Sequence, residues 1–342
     1  MSRALDKDVL KLLSQSDSVK VYDDIASLFD PVQDHDRLLE IEVLGKAHPL
    51  IPEVSYLKDE NAVGIPKTRL FQAFSVAYER FKKHVIHVDV QRPSDDLTEL
   101  LIITAVLLLA DPEHLTAANT RKRVIHQAVQ NGSNTTAALM WEKWFADSLL
   151  TSRLHRHTKS PVLWSHRRWL LSQFQKHGVQ VDVPLEIRNI ILVSGERHPR
   201  NYYAWDHARW LLRTFVDAQA DETARLQEMI ADVKDWCLRH HDDISGWTFL
   251  HSLLCRGGAE LGGERSSAFR GILQMAESFR WQNESVWWFM HAMAATSLLT
   301  PEDVSLLEEI GGRMFGNSES EGSDSGGLSR KWFRSFRGTQ AI

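Results

Sequence analysis

The sequence has little cysteine, and its two thiols exclude a disulfide framework. Only Cys237 and Cys255 occur in 342 residues, which is typical of a protein that folds in a reducing compartment. Lysine and arginine number 40 against 45 aspartates and glutamates, so the basic surplus of a dedicated nucleic-acid-binding protein is absent. The sequence also lacks a glycine-rich phosphate loop, a nucleophile elbow and a spaced cysteine and histidine set for zinc. These absences leave no motif for a free-standing enzyme or for a metal site in this chain.

Targeting signals and long apolar runs are missing as well. Residues 1–17 mix charges of both signs with apolar residues and contain no uninterrupted apolar region of the kind a signal peptide requires. The most apolar run, residues 101–110, is too short to span a bilayer and predicts a buried helix. We therefore expect a cytoplasmic protein with no stable membrane insertion.

Glycine and proline are sparse, and apolar residues recur at helical spacing through most of the chain. Residues 1–66 are interpreted as an N-terminal extension, made of a helix with Leu10, Leu13 and Val19 on one face and an irregular, proline-containing stretch from residue 31. Residues 67–312 are predicted to be helical repeats. Residues 313–342 contain an acidic low-complexity stretch and a basic-aromatic tail, and are predicted to be disordered.

Tryptophan, with 12 copies, anchors an internal repeat. Residues 159–174 and 200–215 align on Trp164 and Trp205, and both then carry His at +2, Arg at +4, Trp at +5, Leu at +6 and +7, and Phe at +10. Three weaker copies are anchored on Ala118, Trp247 and Trp287. The anchors lie 40 to 46 residues apart, which is typical of one helix pair per repeat. We predict an all-α fold, an α-α superhelix that forms a crescent-shaped solenoid.

Each repeat begins with the signals of a helix start. The residue four positions before each tryptophan anchor is a favoured N-cap, namely Ser160, Asn201, Asp243 and Asn283. An Arg-His pair at −8 and −7 is predicted to end the preceding helix, where cations suit the helix dipole, at residues 156–157, 197–198 and 239–240. The run from His240 to Asp243 is therefore interpreted as a helix end followed by a cap, and no metal site is assigned.

Several polar side chains within the repeats are interpreted as structural. His166 and His207 occupy equivalent positions, which favours a structural hydrogen bond over catalysis. Arg167, Arg168 and Arg209 are predicted to pair with acidic side chains across neighbouring repeats.

The repeat pattern resembles that of the protein prenyltransferase alpha-subunit family. The resemblance covers roughly residues 97–300 and is strongest at residues 201–207 and 283–287. It implies a crescent of helical hairpins wrapped around a beta subunit, which carries the zinc ion and the isoprenoid pocket. The chain itself would bind no cofactor, would be inactive alone, and would act on geranylgeranyl diphosphate as substrate.

The resemblance also implies functions for residues at two repeat junctions. Lys159 and Tyr202 match a lysine and a tyrosine of the family and are expected to act in catalysis by contacting the isoprenoid diphosphate. Tyr203 replaces a histidine of the family but still carries a hydrogen-bond donor. Tyr203, Asn201 and Arg200 are expected to bind substrate.

A departure from the family pattern bears on the substrate. Val162 stands where farnesyl-type alpha subunits use a glutamine to hold a substrate carboxylate, so recognition of a free CaaX terminus is disfavoured. A type III-like geranylgeranyltransferase, with a Rab-type beta subunit and an acceptor protein carrying a C-terminal cysteine, fits better. The alternative is a non-catalytic helical-repeat scaffold that binds a partner protein, as the loss of the anchor at Ala118 and the change at Tyr203 would allow.

Overall fold

The computed structural model describes residues 17–30, 36–45, 54–85, 94–130, 134–216 and 222–315. These residues are predominantly helical with one small sheet, so the prediction of an all-α helical-repeat fold is confirmed. The chain divides into two compact units, Met1–Val181 and Asp182–Ile342, and this division falls inside the predicted repeat region. Among the described helices, none combines the length and apolar character needed to cross a membrane.

The first unit begins with a short helix, α1 (Ser18–Ala26), which Asp17 caps by accepting hydrogen bonds from two backbone N–H groups. Its core-facing side chains include Tyr22 and Ile25, whereas Val19 is 48% exposed. The helix face that Val19 is predicted to share with two earlier leucines stays a prediction. Leu10 and Leu13 lie outside the described residues. The helices that follow are α2 (Lys67–Val85), α3 (Ser94–Ala110), α4 (Leu115–Gln130), α5 (Thr135–Thr151) and α6 (Pro161–Lys176).

A three-stranded sheet precedes α2, so the prediction of an irregular segment here is wrong. Strands β1 (Glu40–Leu44), β2 (Leu57–Asp59) and β3 (Ala62–Pro66) lie in the order β1-β3-β2, with β1 parallel and β2 antiparallel to β3. Each strand is five residues or shorter, and alternation over so few residues is a weak signal beside several prolines.

Helix α5 closes one edge of this sheet. The backbone N–H groups of Leu39 and Ile41 donate hydrogen bonds to the hydroxyl oxygens of Ser148 and Ser152, at 3.0 and 2.8 Å. The Ser152 hydroxyl in turn donates to the carbonyl oxygen of Leu39 at 3.0 Å. The two serines therefore occupy polar groups that another strand would otherwise pair with.

The second unit continues the helix pairs. It comprises α7 (Val183–Glu186), a π-helical turn (Ile187–Ile191), α8 (Leu192–Arg197), α9 (Tyr202–Phe215), α10 (Glu222–Arg239), α11 (Ile244–Leu254), α12 (Gly262–Ser278), α13 (Glu284–Ala294) and α14 (Pro301–Phe315). The five repeat anchors lie near the starts of α4, α6, α9, α11 and α13, and each is at most 2% exposed. The predicted period of one helix pair thus agrees with the observed element order.

The most apolar run of the sequence lies within α3. Its side chains from Ala105 to Leu109 are at most 1% exposed, because this helix packs against both α2 and α4. The prediction of a buried helix over residues 101–110 is confirmed for this central part.

Candidate functional site

The repeat junctions are held together by the tryptophan anchors. In three repeats the indole Nε1–H donates a hydrogen bond to the carbonyl oxygen six residues earlier, from Trp164 to Thr158 at 2.9 Å, from Trp247 to His241 at 2.9 Å and from Trp287 to Trp281 at 2.8 Å. Trp205 differs, because its Nε1 is buried and has no hydrogen-bond partner among the described residues. Each anchor therefore fills the core, and three of them also fasten the turn that precedes their helix.

The predicted N-caps are confirmed at three of the four junctions. Ser160, Asn201 and Asp243 each accept hydrogen bonds from backbone N–H groups in the first turn of their helix. Asn283 occupies the N-cap position of α13 but its side chain accepts no such bond, and its amide N–H donates to the carbonyl oxygen of His241.

Lys159 lies at the junction before α6, immediately before the buried cap. The Ser160 hydroxyl donates to the carbonyl oxygen of Pro112 at 3.0 Å and accepts from Leu163 N–H at 3.2 Å, which holds this turn against α3 and α4. Lys159 itself is exposed, and its ammonium group makes no hydrogen bond or ion pair with a described residue. The turn therefore presents an unpaired cation on a fixed backbone.

The Arg-His pair of this junction does not end the preceding helix as predicted. Helix α5 ends at Thr151, so Arg156 and His157 lie in the following turn. The His157 Nε2–H donates to the carbonyl oxygens of Leu108 and Leu109 at 3.0 and 2.9 Å, and burial lowers the pKa of this imidazole to about 4. His157 is therefore neutral near pH 7 and cannot serve as a cation there.

The junction before α9 brings together the other candidate site residues. Arg200 has a positive φ of 57° and donates its backbone N–H to the Asp243 carboxylate at 2.7 Å. Asn201 is 1% exposed, and its amide group donates to the Ser194 hydroxyl at 3.0 Å while it caps α9. Its side chain therefore shapes the turn from inside.

Two tyrosines project from the start of α9. Tyr202 is 69% exposed and Tyr203 is 37% exposed, and their ring centroids lie 5.6 Å apart in an edge-to-face arrangement. Arg200 is exposed beside them. A guanidinium group and phenolic hydroxyls at a helix N-terminus can hold an anion by hydrogen bonds and by the helix dipole. Within the second unit, this corner has the chemistry of a phosphate-type site.

The structural interpretation of His166 and Arg167 is confirmed. The His166 Nε2–H donates to Glu142 at 2.6 Å, and the Arg167 guanidinium donates to Asp147 at 2.6 Å. Burial alone would raise the pKa of Glu142, but the positive charge of Arg121 and the hydrogen bond from His166 outweigh it and lower this pKa to about 2. Both acids lie on α5 and are buried, so these contacts join neighbouring repeats.

Among the described residues, Arg209 forms no ion pair with an acid of a neighbouring repeat, so this prediction is wrong for Arg209. Its guanidinium donates to the Thr248 hydroxyl at 2.9 Å and lies 5.8 Å from the ring centroid of Phe249, both on α11. His207 is buried and its ring centroid lies 5.1 Å from that of Trp210, which repeats the 5.5 Å contact between His166 and Trp169.

A repeated basic position was not recognised in full from the sequence. Four residues after each anchor stands a basic side chain, namely Lys122, Arg168, Arg209, His251 and His291. The Lys122 ammonium lies 5.8 Å from the ring centroid of Trp169 in the next repeat, and the His251 ring lies 5.8 Å from that of Trp288. Burial lowers the pKa of Lys122, of His251 and, to about 4, of His291. The sequence signal for these side chains is an alignment of all five repeats, in which the position four residues after the anchor is always Lys, Arg or His.

The run from His240 to Asp243 follows the interpretation as a helix end and a cap. The His240 ring stacks on Trp236 with 4.2 Å between centroids, and Asp243 caps α11. Across the described ranges, no three His, Cys, Asp or Glu side chains are grouped so that they could hold a metal ion.

Comparisons with known proteins agree with the repeat pattern. Residues 163–276 match a family model described as the ECM9 middle domain. A segment of 81 residues, 24% of this chain, is 36% identical to protein prenyltransferase alpha subunit repeat-containing protein 1 of Danio rerio, of which it spans 16% of the length. The predicted resemblance to prenyltransferase alpha-subunit repeats is therefore confirmed by this segment.

Proposed function

We propose that this chain is the alpha subunit of a heterodimeric protein prenyltransferase, which transfers a geranylgeranyl group to a cysteine of an acceptor protein. The observation that carries the proposal is the 36% identity to a prenyltransferase alpha-subunit repeat protein. The chain would be inactive alone and cytoplasmic, and a beta subunit of the Rab geranylgeranyltransferase type would supply the zinc ion and the isoprenoid pocket. That zinc ion would hold the acceptor thiolate.

The proposed contribution of this chain is to stabilise charge on the substrate. When the carbon–sulfur bond forms and the bond from the isoprenoid carbon to the diphosphate oxygen breaks, negative charge grows on the departing diphosphate. The exposed ammonium of Lys159, which has no ion-pair partner in the part of the chain that the structure describes, would supply positive charge, and the exposed hydroxyl of Tyr202 would supply a hydrogen-bond donor. The two residues belong to different units, so each contributes to the proposal through its own exposure and chemistry.

The neighbours of Tyr202 have subordinate functions in this proposal. Arg200 and Tyr203 are exposed and would bind the diphosphate through a guanidinium group and a phenolic hydroxyl. The Asn201 side chain is buried in the cap, so its contribution is to position the two tyrosines at the start of α9.

Co-expression with candidate beta subunits and a radiolabelled geranylgeranyl-transfer assay test the proposal. We expect labelled acceptor only when both subunits are present, and we expect Lys159→Ala to lower turnover about tenfold or more without preventing assembly. Lys58→Ala is the matched control, because Lys58 is an exposed lysine on β2 of the same unit. Equal turnover for the Lys159→Ala and Lys58→Ala complexes would remove Lys159 from the mechanism.

The second candidate is a non-catalytic scaffold that binds a partner protein. Ala118 favours it, because this residue occupies the first anchor position and the first repeat therefore lacks the indole that fastens three of the other four junctions. A scaffold would form a stable complex with a beta subunit or another partner but produce no labelled acceptor. Tyr202→Phe would then change neither assembly nor any transfer signal.

A further inference from the structure

Basic side chains are concentrated in one segment of the chain, residues 114–181. Residues 114–181 contain ten lysines and arginines but only two acidic residues, Glu142 and Asp147, although acidic residues outnumber basic ones in the whole sequence. Both acids are at most 1% exposed. The described surface of this segment therefore presents basic side chains and no carboxylate.

The two buried acids are already neutralised. Arg121 donates to both carboxylate oxygens of Glu142, at 2.8 and 2.6 Å. Asp147 accepts from Arg167 and, at 2.6 Å, from the ammonium of Lys143. These acids therefore have no charge left to compensate the exposed cations of the segment.

Four of the remaining cations, Lys122, Arg123, Arg168 and Lys176, lie on α4 and α6, which pack against each other, whereas Arg153 and Arg156 pair with Glu40 and Asp111 outside the segment. We define the basic face as Lys122, Arg123 and His126 of α4 together with Trp169 and Lys176 of α6. Lys122 contacts Trp169 across the two helices, and Trp169 and Lys176 are seven residues apart and thus on one side of α6. Within the described residues, Lys122, Arg123 and Lys176 form no ion pair, and neither helix contains an acidic residue.

We propose that the basic face docks an acidic surface of a partner protein. Lys122 is half-buried beside Trp169 and has cationic neighbours, so in the isolated chain its charge is partly desolvated and uncompensated. Opposing carboxylates would relieve this cost and would steer the partner to this face. Tryptophan and arginine are also the residues that most often contribute binding energy at protein interfaces.

A protein fits this face better than a nucleic acid does. Outside residues 114–181 the chain has 43 acidic residues against 30 basic ones. A long polyanion would extend past the basic face and meet this acidic excess, whereas a bounded acidic patch of a folded protein would not. The inference goes beyond the proposed function, because it concerns the charge of a partner surface and does not depend on prenyl transfer.

The test measures binding of a labelled, glutamate-rich helical peptide to the full chain by fluorescence anisotropy. We expect binding that weakens as salt is added, and at least about tenfold weaker binding by the Lys122→Glu/Arg123→Glu variant. The control is Lys58→Glu/Lys67→Glu, which makes the same charge change at exposed positions of the same unit and should bind like the unaltered chain. The charge-reversed variant should gain affinity for a lysine-rich peptide of the same length.

Three results would overturn the proposal. The two double variants could lose affinity equally, which would assign binding to net charge rather than to the basic face. A single-stranded RNA or phosphatidylserine vesicles could bind more tightly than the peptide, which would assign the face to another kind of polyanion. The peptide could also fail to bind a chain whose thermal unfolding shows that it is folded.

Discussion

Trp247 and Trp205 occupy the same position in neighbouring repeats, and both side chains are fully buried, yet only one completes its hydrogen bond. The Trp247 Nε1–H donates to the carbonyl oxygen of His241 at 2.9 Å, whereas the Trp205 Nε1–H has no partner among the described residues. Trp205 instead packs edge-on against Trp236, with 5.1 Å between ring centroids. Comparing the two anchors therefore distinguishes what the packing of an indole contributes to stability from what its hydrogen bond contributes.

Replacing each of these tryptophans with phenylalanine should give unequal losses of stability. Both changes remove similar volume, but Trp247→Phe also leaves the His241 carbonyl without this donor. Because the His241 carbonyl oxygen keeps its hydrogen bond from the Asn283 amide, we expect the extra cost in free energy of unfolding, relative to Trp205→Phe, to be about 0.5–1.5 kcal/mol. Urea denaturation of the two variants measures the difference, and equal losses would show that the hydrogen bond contributes nothing net.

Glu142→Gln should strongly destabilise the first unit. The change removes the carboxylate that neutralises Arg121, which is fully buried, and leaves an uncompensated charge in the interior. We expect a loss of roughly 3–5 kcal/mol in the free energy of unfolding. Glu113→Gln is the control, because Glu113 is exposed and should change stability by less than about 0.5 kcal/mol.

The buried imidazole of His157 should make stability depend on pH. Its pKa is lowered to about 4 by burial, from the ordinary value of 6.5, so the unfolded chain binds a proton between these values that the folded chain does not. The free energy of unfolding should therefore fall as the pH is lowered from 6.5 towards 4, by up to about 1.4 kcal/mol per pH unit for this group. His157→Gln should reduce this slope, whereas His155→Gln, at an exposed position, should keep it.

Two glycines should respond to alanine in opposite directions. A Cβ atom on Gly246 would lie 2.6 Å from Cζ3 of the buried Trp236 ring, so Gly246→Ala should displace the indole and destabilise the second unit by about 1–3 kcal/mol. Gly271 lies inside α12 with no atom within 4 Å of an added Cβ, so Gly271→Ala should stabilise by about 0.5–1 kcal/mol. Thermal unfolding of both variants measures the two changes in stability. A stabilised Gly246→Ala variant or a destabilised Gly271→Ala variant would contradict the prediction.

The repeat could be predicted because its signals are local. A tryptophan, an N-cap four residues before it and the following apolar positions lie within one helix, and their spacing fixes the helix start wherever the partner helix lies. The three caps at Ser160, Asn201 and Asp243 follow from this alone. Asn283 has the same spacing but turns its amide towards His241, a choice set by the neighbouring repeat.

Contacts that join distant segments could not be predicted in the same way. The partner of Arg167 is Asp147, whereas that of Arg209 is a threonine hydroxyl. The two arginines nevertheless hold adjacent positions in the repeat pattern, three and four residues after their anchors. The sheet also depends on distant residues, since β1 pairs with β3 and with the hydroxyls of α5 rather than with an adjacent hairpin strand.

The sequence could not predict which side chains of the candidate site are exposed to solvent and which are buried. Lys159 and Tyr202 are exposed, as a residue that contacts substrate must be, while Asn201 has the same family signature and is buried in the cap. Motif and spacing identify which side chains occupy a junction, but the direction in which each points follows from the turn, here from the positive φ of Arg200 and the bond from its N–H to Asp243.

The serine contacts along β1 have a consequence for how the chain can be divided. Ser148 lies on the second helix of the first repeat and Ser152 caps its end, yet their hydroxyls bind the backbone of Leu39 and Ile41. A fragment that began after the sheet would expose these hydroxyls together with the apolar surface around Phe145. The segment interpreted as an N-terminal extension therefore belongs to the folded core of the first unit, and a boundary placed after the sheet would cut through that core.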